Sequence, residues 1–208
     1  MTGDPVRYDS DPWERYYASG GPGWKGSPFS LPELNEGARV LDVGCGTGST
    51  MIQADERGFD ITGIDISESA ILRCRSRLDS RGIQAPLIQY DYLNWDTSSR
   101  FDCILLHHFL SSLREKERED AVGKTMELLS DGGLISFQDF STGDFRFGRG
   151  EEVEYNTYLK GNGILCHFFT ENEVRDLFHG CDVIVMDTGS WSMGDRIRSR
   201  IRALLRRL

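Results

Sequence analysis

The sequence predicts an α/β domain with a mostly parallel sheet and helices on both faces. Three observations carry this. Short apolar runs alternate with helical patterns from about residue 38 onward. The first apolar run enters a glycine loop, Val40-Leu41-Asp42-Val43-Gly44-Cys45-Gly46-Thr47-Gly48. The fourth run, residues 101–106, is almost wholly apolar, as a strand covered on both faces should be.

In order, residues 38–43 read as a strand and 47–57 as a helix; 60–65 is the second strand. Ser67 can cap a helix carrying Ala70, Ile71, Cys74 and Leu78. Residues 85–90 form a third strand and 101–106 the fourth. Ser112 and Glu115 have capping-box spacing ahead of a helix with Val122, Met126 and Leu129 on one stripe. Asp131-Gly132-Gly133 turns the chain into a fifth strand, 134–140. Residues 141–163 are Gly-rich, charged and aromatic and fit no element. Thr170 and Glu173 give another capping box, before a helix ending near Phe178. Residues 181–186 are a sixth strand. The tail alternates Ile197, Ser199, Ile201 and Ala203 with arginines, a last strand with one wet face or else an amphipathic helix.

Composition bounds the function. The 208 residues favour one domain, 31–208, with residues 1–30 as an aromatic-rich cap or arm. No apolar run reaches membrane-spanning length, and the N-terminus lacks a signal-peptide pattern. Five scattered cysteines without a CxxC pair read as reduced thiols of a cytoplasmic protein, with no zinc framework and no metal. Net charge is −9, but the last fourteen residues carry +5, leaving −14 on the body. A protein built mainly to hold nucleic acid usually has a basic footprint, and here only the tail does.

The glycine loop is the most informative segment. Glycines there permit a tight turn and a ligand lying against the backbone. A dinucleotide site would want a third glycine where Ser49 stands. Asp42 would repel a pyrophosphate but suits the ammonium of a methionine moiety. Asp65 ends the second strand about 20 residues on, where a carboxylate accepts ribose hydroxyls.

VLDVGCGTGS, GIDIS, Gln89-Tyr90-Asp91-Tyr92, the 101–108 strand and Leu129-Ser130-Asp131-Gly132-Gly133-Leu134 together resemble the ordered motifs of class I S-adenosylmethionine-dependent methyltransferases. That resemblance implies a Rossmann-like seven-stranded sheet with its last strand antiparallel. It implies S-adenosylmethionine as cofactor and S-adenosylhomocysteine as product. It places cofactor contacts at Asp42, Gly44, Cys45, Gly46 and Gly48, at Asp65 and Ile66, at Asp91 and Tyr92, and at His107 near the sulfonium. Shorter similarities, Trp13-Glu14-Arg15-Tyr16-Tyr17 and Lys160 to Thr170, resemble tRNA 3-methylcytidine methyltransferases and the tellurite-resistance type of small-molecule methyltransferase.

His107 and His108 close the fourth strand, where either can act as general base or simply pack. His167 is open to the same two readings. Tyr17 and Trp24, with Trp13 and Tyr16, fold over the cofactor as a lid or cap the sheet edge. The acidic body, the absence of a separate RNA-binding domain and the HHFL segment point to a small-molecule acceptor. RNA is the alternative, with the arginine tail on phosphates; a non-catalytic cofactor-binding subunit is a third. A monomer or homodimer is expected.

Overall fold

The computed structural model describes residues 11–21 and 31–208. Trp24 lies outside the described residues.

In chain order the strands are β1 (Arg39–Val43), β2 (Asp60–Asp65), β3 (Leu87–Gln89), β4 (Phe101–His107), β5 (Leu129–Phe140), β6 (Glu151–Glu154), β7 (Thr157–Leu159), β8 (Leu165–His167), β9 (Cys181–Met193) and β10 (Arg196–Arg207). Seven of them make the main sheet, in the order β3-β2-β1-β4-β5-β10-β9. β1 to β5 pair in parallel, while β10 runs antiparallel to both β5 and β9. Helices α1 (Asp11–Ala18), α2 (Ser49–Glu56), α3 (Glu68–Asp79), α4 (Glu115–Leu128) and α5 (Glu171–Leu177) accompany it.

Two apolar layers explain why the central strands are nearly all hydrophobic. Leu41, Ile104, Leu106, Ile135 and Phe137 pack on one face, with Ala121 and Val122 of α4. Val40, Cys103 and Leu105 pack on the other, with Met51 of α2 and Cys74 and Leu78 of α3. Each such large side chain contributes roughly 1.5–3 kcal/mol on burial. The central strands are therefore fixed, and their C-terminal ends make a rigid rim.

Ser67 caps α3 as expected, accepting from Ala70 N, and Thr170 caps α5 by accepting from Glu173 N. Several expectations need correcting. The α2 helix starts at Ser49, because Thr47 and left-handed Gly48 belong to the loop. Ser112 and Glu115 do not form the α4 box. Ser112 Oγ donates to Phe109 O at 2.7 Å. Helix α4 is instead capped at Arg114, whose N–H donates to Glu117 Oε2 at 2.8 Å. Glu154, 39 residues on, accepts from Glu115 N at 3.0 Å. Leu129 opens β5 rather than ending α4.

Residues 141–163 are not structureless. They contain β6 and β7, which with β8 form a small antiparallel sheet. The tail is a strand, with Ser199, Ile201, Ala203 and Leu205 buried. It lies inside the sheet, not at its edge; the edge on that side is β9. Among the described residues no helix is long and apolar enough to cross a membrane.

Candidate functional site

A cavity of about 700 Å³ opens over the C-terminal ends of β1, β2 and β4. Its floor is the glycine loop. Gly44, Gly46 and Gly48 all have left-handed backbone, with φ of 70°, 53° and 78°, which a side chain would strain. A Cβ on Gly48 would meet Cys74 Sγ at 2.5 Å. One on Gly46 would meet Tyr17 Oη at 2.7 Å, so this glycine makes room for the N-terminal helix.

Asp65 pins the loop. Its Oδ2 accepts from Gly46 N (2.8 Å) and its Oδ1 from Ser67 N (3.0 Å). Each oxygen retains a second acceptor site, and Asp65 lines the cavity. Burial raises its carboxyl to about 6. Asp42 is 2% exposed, and its Oδ2 has no hydrogen-bond partner among the described residues. Burial, then the neighbouring Asp65 charge, raise Asp42 to about 8. An orphaned carboxyl oxygen near the end of β1 is a receptor for a cation, and the pair fits an ammonium beside a diol.

Cys45 lines this floor, but its side chain belongs to the α2–α3 core layer. A hydrogen bond with Cys74 and burial hold its thiol protonated. At the β3 end, Ile66, Asp91 and Tyr92 line the cavity. Asp91 already accepts from Leu93 N and Asn94 Nδ2. Tyr92 is 4% exposed, and its hydroxyl pairs with Thr125 at 2.8 Å. Its polar end is thus committed to α4, leaving its ring as wall.

Helix α1 lies across this end. Glu14 takes hydrogen bonds from Ser67 Oγ (2.7 Å), Ser69 N (3.1 Å) and Ser69 Oγ (2.5 Å) at the start of α3. Arg73 donates to Tyr17 O and Gly21 O. Trp13, Tyr16 and Tyr17 are thereby placed on the cavity wall. Across the mouth, a Cβ on Gly163 would stand 3.4 Å from Pro12, so the β7–β8 turn meets α1.

The two histidines of β4 differ. His107 Nε2 is 2.9 Å from Ser136 Oγ, and burial lowers its imidazole to about 3. It is a neutral group in the floor. His108 has φ 56°, uncommon for a side-chain-bearing residue. Its Nδ1 is 3.3 Å from Asp139 Oδ1, and its ring lies 4.4 Å from the Phe140 ring. Asp139, fully buried, also accepts from Ser111 N and Phe140 N. A carboxylate so fixed orients an imidazole for proton transfer. Sequence reading missed Asp139, although a lone aspartate inside an apolar strand was its signal. His167 does not reach the cavity. Its Nδ1 is 2.8 Å from Thr157 Oγ1, and its Nε2 is 2.7 Å from Glu173 Oε1 in the wall of α5.

Sequence reading also missed the cationic half of the cavity. Arg146, Arg149 and Lys160 line it beside Phe140. The Arg146 guanidinium lies 3.9 Å from the Phe140 ring centre. Burial lowers the Lys160 ammonium, which donates to Arg146 O and Arg149 O.

Residues 40–133 match the family model of a methyltransferase domain. A tRNA N(3)-cytidine methyltransferase of Gallus gallus is 26% identical over 74% of this chain and 45% of its own length. A putative methyltransferase of Geobacillus is 32% identical over 50% of this chain and 43% of its own. The chain thus spans about half the length of these relatives. Among solved structures, an S-adenosylmethionine-dependent methyltransferase of Methanosarcina mazei aligns with TM-score 0.72 at 22% identity, covering 84% of this chain and 94% of that one. A 1,6-didemethyltoxoflavin-N1-methyltransferase of Burkholderia thailandensis, solved with S-adenosylhomocysteine, aligns with TM-score 0.67 at 20% identity, covering 83% and 72%. At these identities the structural likeness speaks for the fold. The matched stretch holds the glycine loop with Asp42 and Asp65, and the likeness as a whole is to class I S-adenosylmethionine-dependent methyltransferases.

Proposed function

We propose that the protein transfers the methyl group of S-adenosylmethionine to a heteroatom of an acceptor carrying negative charge, with His108 as general base. One observation carries this reading: the cavity joins an acidic floor, Asp42 and Asp65, to a cationic wall, Arg146, Arg149 and Lys160, with His108 lining it as well.

When bound, S-adenosylmethionine supplies an electrophilic methyl group on a cationic sulfur. Asp42 holds the ammonium, and Asp65 accepts the ribose hydroxyls. The loop at Gly44, Cys45, Gly46 and Gly48 passes beneath. Ile66, Asp91 and Tyr92 bound the adenine end, and Trp13 and Tyr17 cover it and exclude water. His107, neutral and held by Ser136, presents no charge to repel a sulfonium. His108 Nε2, which stands 3.3 Å from Gln138 Nε2, exchanges that amide for the acceptor and takes the proton of its N–H or O–H, and Asp139 stabilises the resulting imidazolium. Arg146, Arg149 and Lys160 hold the acceptor's anionic group and fix its approach.

Both a free anionic metabolite and a nucleotide within RNA meet this description. The volume beside the cofactor end suits the first. The relatives that act on tRNA favour the second. The free thiols, four of the five buried, suit a reducing compartment such as the cytoplasm. Incubating the protein with cofactor labelled in its methyl group, against cell metabolites and total RNA as separate pools, tests the proposal. Label is expected in one pool; label in neither, with His108→Gln and native protein alike, would refute it.

A further inference from the structure

β10 is antiparallel, so its first residues lie at the end of the sheet where the cavity opens. Arg200 pairs with Phe140, the last residue of β5. Residues 196–199 and their β9 partners, 190–193, therefore project past that rim as a hairpin. Arginines 196, 198 and 200 share one face of it, at a repeat of about 6.8 Å.

That face interleaves with aromatic rings. Arg198 and Arg200 lie 5.6 and 5.1 Å from the Trp191 ring centre. Arg196 and Arg149 lie 5.1 and 5.2 Å from Phe145, whose N–H donates to Ile197 O. Arg146 and Arg198 both face Phe140, the ring against which His108 rests. The ladder thus starts at His108 inside the cavity and runs out along the hairpin. Carboxylates do not neutralise all of its charges. Arg198 pairs with buried Asp144, whereas Arg196 has, among the described residues, only exposed Asp195 at 3.9 Å. Arg200 forms no ion pair among the described residues, and although its Nη1 is buried the residue as a whole is only half-buried.

We infer that this hairpin is a track for single-stranded RNA, binding the strand that flanks a nucleotide held in the cavity. The inference rests on the methyl-transfer reading for the cavity end only. Guanidiniums supply phosphate contacts, and rings and guanidinium planes supply stacking without base preference. A free metabolite would leave the projecting arginines unused. An acidic protein segment would use the charges but not the alternating rings.

The test uses the full chain and a fluorescein-labelled single-stranded RNA of about 15 nucleotides, titrated at several salt concentrations. An oligoglutamate peptide of equal charge serves as the alternative ligand. Native protein is expected to bind the RNA at least ten times more tightly than the peptide. Arg196→Gln/Arg200→Gln should lose about tenfold in RNA affinity and flatten the salt slope by about 1.4, or 0.7 for each phosphate no longer neutralised. S-adenosylhomocysteine binding by calorimetry should not change. If the double variant unfolds, Arg196→Gln alone should flatten the slope by about 0.7. Equal binding of peptide and RNA, or a salt slope unchanged in both variants, overturns the inference. RNA binding lost with cofactor binding intact supports the track; RNA binding without any cofactor binding would leave the track standing and sink the cavity assignment.

Discussion

His108 Nδ1 and Asp139 Oδ1 stand 3.3 Å apart, although 31 residues separate them in the chain. Parallel pairing of β4 with β5 sets His107 against Gln138, and the left-handed backbone of His108 then turns its ring toward the next residue of β5. The fold thus sets an imidazole against a buried carboxylate at the rim of one cavity.

His108→Gln should lower kcat by roughly 10²–10⁴-fold for an acceptor that must lose a proton. S-adenosylhomocysteine affinity should stay near native. Asp139→Asn should lower kcat less and also disturb the Ser111 turn it holds. If turnover by His108→Gln matches native protein across the pH range, the acceptor needs no base from this residue.

Cofactor binding should release a proton. Asp42, raised to about 8, is largely protonated at neutral pH without a cation, and Asp65 titrates near 6. A bound ammonium favours ionised Asp42, so affinity should rise with pH up to about 8 and level off above it. For the ligand-free fold the sign is opposite. Both carboxyls lie above their usual 3.8, so their stabilising contribution is complete below that value and is lost as pH rises through 6 and 8. Calorimetry at pH 7 in two buffers of different ionisation enthalpy checks this, and identical heats would contradict it.

Asp65→Ala should weaken S-adenosylhomocysteine binding by about 1.5–3 kcal/mol, the range for lost charge-assisted hydrogen bonds. It also frees the Gly46 and Ser67 N–H groups, so a thermal melt must accompany the titration. Gly46→Val should be worse, since its side chain strikes the Tyr17 hydroxyl and strains a left-handed residue. A Gly46→Val protein that folds and binds normally would remove the loop from the site.

Much of this frame was legible in sequence because physics repeats it locally. Strands covered on both faces must be apolar, and the middles of β1 (Val40, Leu41) and β4 (Cys103 to Leu106) are. Ser67 and Thr170 cap helices with their own hydroxyls, a rule that spans three residues. What was illegible is non-local. Arg114 has no acceptor side chain, so a search for a hydroxyl stops at Ser112, while Glu154 from β6 supplies the carboxylate. Strands β6 to β8 are only three or four residues long, too short for a period-two pattern. Arg146, Arg149 and Lys160 sit in that stretch, so the cationic wall went unseen with it. The tail's alternation predicted a strand but not its place, because β9 closes outside it.

The N-terminal helix should report on the cofactor. Glu14 is its main anchor, and hydrogen bonds from Ser69 and Ser67 hold its carboxyl below the usual range. Glu14→Ala removes three of them, at a cost of about 1 kcal/mol each at most. Cofactor affinity should fall several-fold, and the change in tryptophan fluorescence on binding should shrink. Native affinity in Glu14→Ala would mean that α1 caps the sheet without closing the site.

Asp144 ties the cationic wall of the cavity to the tail. Its carboxylate, fully buried, accepts from Arg146 Nε (2.7 Å), Arg198 Nε (2.9 Å) and Ser199 N (3.1 Å). Burial alone would raise this carboxyl, but the two guanidiniums and the Ser199 N–H outweigh it and hold it below the usual range. A depressed carboxyl stabilises the fold above its unfolded pKa, and that stabilisation is lost as pH falls through the folded value. Asp144→Asn keeps the shape but removes the charge. Breaking a buried pair in this way costs about 3–5 kcal/mol, and the partial exposure of Arg146 puts the expectation at the lower end. The variant should melt earlier at pH 7, and the gap from native protein should narrow as pH falls below the carboxylate range. A constant gap from pH 7 down into the acid transition would mean that Asp144 acts through packing, not through its charge.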